Sequence, residues 1–235
     1  MRILAFDTAL GGCAVACLHV NPNSPEPHQQ AVRRVETARD QARILVPLIQ
    51  DTLAELSWTL DELDLIVTTT GPGSFTGLRL GLSTARALSL ALNKPVVGVE
   101  TLSVLAHQVT GSDPVAVILE TKRTDYYFQT FLPGGIPQSS PQSLSTEAII
   151  DVLSANPYRV IGDALNRLEA DMGKDKFQHI CLQPLSVTLL DPYVLAYQGR
   201  SLFQKGIQNN TEPLYLRDAD VSFSKKPVRY LARHE

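Results

Sequence analysis

The sequence predicts an α/β fold of two parts, residues 1–110 and 111–235, in which one hairpin-led mixed sheet is built twice. Two observations predict it. Each part opens on an apolar run that ends in an acid followed by threonine, Ile3 to Asp7-Thr8 in the first and Val115 to Glu120-Thr121 in the second. In each, a returning apolar run follows a short turn, after which strand-like and helix-like segments alternate, the pattern of an α/β layer structure.

In the first part Ile3 to Thr8 reads as a strand, Gly11-Gly12 as a tight reversal and Cys13 to Val20 as the returning strand of a hairpin. Asn21 to Pro27 is turn chemistry, and Gln29 to Glu36 is the right composition for a third strand. From Arg39 to Leu56 the positions Leu45, Leu48, Ile49, Leu53 and Leu56 recur with helical period. Pro47 inside that pattern removes one hydrogen bond and should bend the helix. Thr59-Leu60-Asp61-Glu62 has capping-box spacing and predicts one short helical turn. Leu65 to Thr70 is a strand, Gly71 to Gly77 a glycine-rich turn, Phe75 to Asn93 a second long helix, Pro95 to Val99 a strand and Leu102 to Val109 a further helix.

The second part repeats the opening with Val115 to Glu120 and Tyr126 to Leu132. A helix over Ser145 to Ala155, capped by Ser145 or Thr146, precedes a short strand at Arg159 to Ile161. Gly162-Asp163 then leads into a helix through Asp171, and Val187 to Gln204 is the last helix, with room for it or the tail to pack back on the first part. A hairpin bearing an acid, twice over, suggests the duplicated ribonuclease H-like fold shared by actin, sugar kinases and Hsp70. There a nucleotide binds between the halves.

Hydrophobic residues are 44% and charged residues 19% of the 235, ordinary for a globular protein. No segment is apolar for long enough to span a bilayer, and Asp7 interrupts the N-terminal apolar run too early for a signal peptide, so no membrane association and a cytoplasmic location are expected. Cys13, Cys17 and Cys181 form no Cys-x-x-Cys pair, against disulfides or a zinc knuckle; Cys13 and Cys17, four apart on a strand, share a face and read as small buried hydrophobes. A net charge of −3, from 21 basic against 24 acidic residues, does not suit a chain that grips nucleic acid alone by neutralising ~6–10 phosphates. The modest basic cluster Lys225, Lys226, Arg229 and Arg233 reads as a solvated tail.

The densest signal is Gly71-Pro72-Gly73-Ser74-Phe75-Thr76-Gly77-Leu78-Arg79 between a strand and a helix. It is not a P-loop, a dinucleotide fingerprint or a nucleophile elbow: Leu78 follows Gly77, Thr76 stands where a third glycine belongs, and Ser74 lacks its flanking glycines. Two readings stay open. Asp7, Thr8, Gly71, Gly73 and Ser74 could form a nucleotide or anion loop at a helix start, or the loop turns the chain and Ser74 or Thr76 caps the helix. In the following helix Gly77, Gly81, Ala85 and Ser89 recur every fourth residue, with Leu78, Leu82, Leu88 and Leu92 on other faces. Such a stripe permits close approach of another element, either inside the chain or on a partner.

The segments ILAFDTA, GPGSFTGLRLGLSTARALSLAL and KPVVGVETLSVLA, with RDQARILVPLI, ETKRTDYY and Pro213-Leu214-Tyr215-Leu216-Arg217, resemble the TsaB (YeaZ) family along nearly the whole chain. Gln41 stands where that family commonly has histidine, and Glu120 and Lys122 replace its usual Asp and Arg. The resemblance implies an actin-like double fold and a non-catalytic scaffold role. It implies a homodimer when alone and a complex with a TsaD-like catalytic subunit and a TsaE-like ATPase, which forms N6-threonylcarbamoyladenosine at position 37 of tRNAs reading codons that begin with adenine. tRNA would be met only through that complex. The catalytic relative binds metal through His-x-x-x-His after a Gly-Val-Asn-like turn; here Gly98-Val99-Glu100 matches the turn, and the histidine positions fall on Thr101 and Leu105. No metal, cofactor, catalytic residue or peptidase activity is therefore expected.

The leading expectation is a binding subunit whose helices at Arg39–Leu56 and Phe75–Asn93 dock a second copy or the catalytic relative. The contact residues would be Leu45, Leu48, Ile49, Thr76, Gly77, Leu78, Gly81, Leu82, Ala85 and Ser89. The alternative is an ATP-binding phosphotransferase or ATPase in which Asp7, Glu120 and Gly162-Asp163 converge on a metal-nucleotide in the cleft. A metallopeptidase lacks its ligands.

Overall fold

Pairing begins at the N-terminus, where β1 (Arg2–Asp7) and β2 (Gly12–Val20) run antiparallel, Arg2 opposite His19 and Asp7 opposite Ala14. β3 (Pro27–Glu36) adds antiparallel to β2, while β4 (Leu65–Gly71) and β5 (Val96–Glu100) add in parallel on the other side of β1. The order is β3-β2-β1-β4-β5. The structure is a computed structural model that describes residues 1–21, 26–37 and 39–216; Lys225, Lys226, Arg229 and Arg233 lie outside the described residues.

The second sheet repeats this plan. β6 (Val115–Glu120) and β7 (Tyr126–Leu132) form its hairpin, and the short β8 (Ile136–Pro137) and β9 (Gln142–Leu144) both pair with β7. β10 (Tyr158–Gly162) lies parallel to β6, and β11 (Cys181–Ser186) parallel to β10, giving β11-β10-β6-β7-β8. Counted from its own first strand, the first sheet runs third, second, first, fourth, fifth, and the second runs third, second, first, fifth, sixth, its fourth strand β9 pairing with β7 off that path. That is the ribonuclease H-like sheet, present twice, as the two opening hairpins predict.

Alternation along β1 splits its side chains between two cores. Leu4 and Phe6 face α1 (Gln41–Glu55) and α2 (Phe75–Leu92), with Cys13, Cys17, Leu45, Ile49, Leu53 and Ala85 in the same cluster. Ile3 and Ala5 face α3 (Thr101–Gln108) and α7 (Pro192–Gln204), in a cluster that continues into Val115, Val117 and Phe131 of the second sheet. On the far side of that sheet Ile118, Tyr126 and Phe128 meet α4 (Thr146–Ala155), α5 (Leu165–Met172) and α6 (Lys174–Ile180). The two sheets thus share a middle layer of α3 and α7, and α7 returns from the end of the chain to pack on β1, β2, β4 and β5.

Two expectations shift at this level, the start of the last helix and the stretch before it. The last helix begins at Pro192, not Val187: proline fits the first helical turn, and Asp191 Oδ1 accepts the Tyr193 amide at 2.9 Å as its cap. Residues 174–186, left without an element, form α6 and β11. Ser145, not Thr146, caps α4. Pro47 is accommodated within α1, while Cys13 and Cys17 are buried among apolar neighbours as expected.

Candidate functional site

The two hairpin turns approach one another across a cleft of about 720 Å³. Its first wall is Ala9, Leu10 and Gly11 of the β1–β2 turn with Gly73 to Thr76; its second is Leu119 to Arg123 of the β6–β7 turn with Asp163. Thr37, Gln41, Arg79, Tyr127, Tyr215 and Leu216 complete the lining.

Local chemistry fixes the first wall. Ser74 is the N-cap of α2, its hydroxyl accepting the Gly77 amide at 3.4 Å, and its own amide donates to Ala9 O at 2.8 Å. Gly71, at φ +106, makes a turn that disfavours other residues. Gln41 Nε2 lies within bonding distance of three carbonyls of the β1–β2 turn, Thr8 at 3.1 Å, Leu10 at 3.1 Å and Gly12 at 2.8 Å. Sequence reasoning marked Gln41 only as a departure from a family pattern; its role as a clamp depends on a turn about 30 residues away, which spacing does not reveal.

The second wall is held by charge. Glu120 pairs with Arg167 at 3.0 Å and accepts the Lys122 amide at 2.7 Å. Asp163 Oδ1 accepts the Glu120 amide at 2.8 Å. Burial, reinforced by the Glu120 charge, pushes the Asp163 carboxyl up to about 6 against the opposing pull of that amide and Arg167.

Of the five residues expected in an anion loop, Gly73 and Ser74 line the cleft, and Asp7, Thr8 and Gly71 do not. Asp7 is wholly buried and is not part of the cleft lining; its Oδ1 accepts from Thr69 Oγ1 at 2.5 Å and from the Ala9 amide at 3.0 Å. Burial raises its pKa despite these bonds. Thr8 is also buried, donating from Oγ1 to Gly77 O at 2.6 Å. Gly71 lies beneath Leu78 and the Leu214 carbonyl, and Gly73 against Ala9. The amides of Ala9, Gly11, Ser74, Gly77, Lys122 and Arg123 are all bonded within the chain. A polyphosphate finds those donors taken. Glu120 and Asp163 do meet, as expected of a cleft between halves, but Asp7 does not join them.

The small stripe of α2 also turns inward. A Cβ on Gly77 would stand 1.9 Å from Thr8 O, and one on Gly81 2.8 Å from Thr8 Oγ1. Leu78, Leu82, Ala85, Leu45, Leu48 and Ile49 are buried within the chain, and Ser89 Oγ donates to Lys94 O at 2.6 Å. The element that needs close approach is the chain's own β1–β2 turn. Thr76 alone of the ten expected contact residues is exposed. What the helices leave to water is a different face: Ser83, Ala87, Leu90 and Ala91 on α2, with Val46 on α1; Leu90 is 86% and Val46 50% exposed.

Residues 207–216 form a strap over α2 and β5. Asn210 exchanges two hydrogen bonds with Gly98, at 3.0 and 2.8 Å, while Arg86 donates to Thr211 Oγ1 at 3.0 Å and O at 2.6 Å. The Leu214 amide donates to Thr70 O at 2.8 Å, which brings Tyr215 to the cleft. There its ring lies 5.6 Å from that of Phe75, and Arg79 stacks on Phe75 at 3.7 Å and reaches the Tyr215 hydroxyl at 3.4 Å. Nothing short-range in the sequence announces this cluster. Thr101 and Leu105, at the relative's metal positions, are buried; among the described residues no three His, Cys, Asp or Glu side chains gather to hold a metal ion. No helix among them is long and apolar enough to cross a membrane.

The repeated sheet and the cleft between its copies define an actin-like α/β protein of duplicated ribonuclease H-like design. A protein-family model described as TsaD, tRNA N6-adenosine threonylcarbamoyltransferase, matches residues 32–135. The tRNA threonylcarbamoyladenosine biosynthesis protein TsaB of Buchnera aphidicola subsp. Baizongia pistaciae is 28% identical over 92% of this chain and 98% of its own length. The protein of that name from Escherichia coli is 31% identical over 56% of this chain and 55% of its own length. Among solved structures, YeaZ from Pseudomonas aeruginosa superposes with a TM-score of 0.73 at 23% identity, covering 91% of this chain and all of that one. Along nearly its whole length the chain is thus similar to proteins of the TsaB (YeaZ) family.

Proposed function

We propose that the chain is a cytoplasmic, non-catalytic scaffold subunit in the formation of N6-threonylcarbamoyladenosine at position 37 of tRNAs reading codons that begin with adenine. It acts with a TsaD-like catalytic subunit and a TsaE-like ATPase, and pairs with a second copy when alone. The names of its relatives support the pathway. The observation that carries the scaffold role is the apolar surface the two N-terminal helices leave uncovered: Leu90 of α2, on one helical face with the small exposed side chains Ser83 and Ala87, and Val46 of α1. Apolar surface of this kind is what a partner helix pair covers. The division of labour follows the two sheets: the part up to residue 110 docks, and the second part closes the cleft. An ATPase or phosphotransferase is disfavoured, because the amides of Ala9, Gly11, Ser74, Gly77, Lys122 and Arg123 around the cleft are bonded internally and Asp7 is withdrawn from it.

A reconstituted modification assay tests the pathway: leaving out this chain should abolish the modified nucleoside, and an unchanged yield refutes the reading. Leu90→Glu tests the surface. It should abolish self-association on light scattering and capture of the catalytic relative, with stability unchanged within about 0.5 kcal/mol as for other surface sites. Undiminished association would move the interface elsewhere.

A further inference from the structure

The cleft rim carries three flat groups that the scaffold role leaves unused. Phe75 is 48% exposed and Tyr215 44% exposed, with Arg79 stacked on Phe75 and also in water. Two are held from α2 and the third from the strap. Phe75 opens α2 immediately after its Ser74 cap, Arg79 lies one turn on, and Tyr215 follows the Leu214 amide that ties the strap to β4. Burial would be the default for two aromatic rings that can reach each other. Here they are presented, half in water, at the mouth of a 720 Å³ cavity.

Opposite them Lys122 and Arg123 stand exposed on the β6–β7 turn. Deeper in the cleft are acceptors, the carboxylates of Asp163 and Glu120, the latter already paired with Arg167. Aromatic faces and a guanidinium plane, cations across a gap and half-buried acceptors are the parts that bind an unpaired nucleotide: a platform for the base, charges for the phosphates, acceptors for amino and 2′-hydroxyl donors.

We propose that this rim binds a single-stranded segment of RNA directly, one base stacking on Phe75 and Tyr215 and the flanking phosphates meeting Arg79, Lys122 and Arg123. The inference rests on the tRNA reading above and extends it, giving this chain its own contact with the nucleic acid rather than one made only by its partners. A strand fits better than a free nucleoside polyphosphate. A polyphosphate needs clustered backbone amides, and those of Ser74, Gly77, Lys122 and Arg123 are taken, whereas phosphates spread along a strand need only side-chain cations. Paired bases hide their faces, so a duplex gains nothing from the platform. The net charge of −3 makes this a local contact that orients RNA, not a general grip.

The test uses the full chain and a fluorescein-labelled RNA hairpin with an unpaired loop, read by anisotropy across a salt series. A fully paired RNA duplex, AMP and ATP serve as competitors. The hairpin should bind and the duplex should compete poorly. Phe75→Ala and Tyr215→Ala should each weaken binding roughly tenfold to a hundredfold, the loss of one stacked base, while Phe75→Tyr keeps it. Lys122→Ala should make the slope of log affinity against log salt shallower by about 0.7. Circular dichroism melts confirm that the variants fold. The proposal is overturned if the hairpin does not bind at low salt, if duplex binds as well as hairpin, or if folded alanine variants bind like the parent. It is equally overturned if ATP or AMP saturates the cleft while the hairpin does not bind. Hairpin binding by a chain that proves dispensable in the modification assay would sink the proposed function and leave this inference standing. A chain required in that assay but blind to the hairpin would sink this inference alone.

Discussion

Replacing Asp163 by asparagine isolates the electrostatic cost of the cleft floor. Burial is the main reason its carboxyl is raised, and the Glu120 charge adds to it; the Glu120 amide and Arg167 act the other way. The carboxyl titrates at about 6 in the native chain against an ordinary value of 3.8. Between those values the native chain keeps a proton that the unfolded chain has lost, so stability falls as pH rises through that window and stays lower above it. The gap of about two in pKa, at about 1.4 kcal/mol for each, gives a penalty of about 3 kcal/mol at neutral pH and above. Asparagine carries no charge, and its Oδ1 can still accept the Glu120 amide. Asp163→Asn should therefore be nearly neutral around pH 3 and stabilising by about 2–3 kcal/mol near pH 8. At about 2–4 °C per kcal/mol for a chain of this size, the melting temperature near pH 8 should rise by roughly 4–12 °C. Melts followed by circular dichroism at several pH values measure it. A constant offset between the two proteins across the series would refute the argument, because it would mean that Asp163 ionises alike folded and unfolded.

Two further substitutions probe how the cleft is held. Gly77→Ala would place its Cβ 1.9 Å from Thr8 O, so α2 must retreat from the β1–β2 turn; a loss of about 3 kcal/mol or more is expected, read as a lower urea midpoint. Asn210→Ala removes the paired bonds to Gly98 and should cost about 1–3 kcal/mol. Hydrogen exchange should show the Gly98 amide losing protection while the amides of β1 keep theirs; uniform loss would mean that the strap is integral to global folding.

The hairpins were readable because each strand is a short apolar run bounded by a turn: Ile3 to Asp7 and Cys13 to Val20 needed no distant partner to be recognised. The long helices were readable for the same reason, their apolar positions recurring with helical period. By contrast, the stripe Gly77, Gly81, Ala85 reveals that something approaches α2 closely but not what. The answer is Thr8, about 70 residues earlier. Asp7 has the sequence of a site acid, yet it lies buried beneath the cleft, with one carboxylate oxygen bonded to Thr69 and the Ala9 amide. Residues 174–186 escaped because Lys174 to Ile180 is short and polar, and because β11 is an exposed strand interrupted by Pro184. The rim cluster of Phe75, Arg79 and Tyr215 joins residues about 140 apart and could be found only in three dimensions.

The placement of α7 bears on how the protein is made. The face of the first sheet that carries Ile3, Ala5 and Val67 is roofed by Leu195 and Ala196, and Gly199 packs against Val67. A nascent chain emerges N-terminus first, so strands synthesised at the outset wait for a helix that ends at Gln204. At about 5–20 residues per second that wait is on the order of ten to forty seconds. Throughout it the first half exposes an apolar sheet face on the ribosome, a natural landing place for a chaperone, and any fragment that stops before Pro192 should inherit the same stickiness.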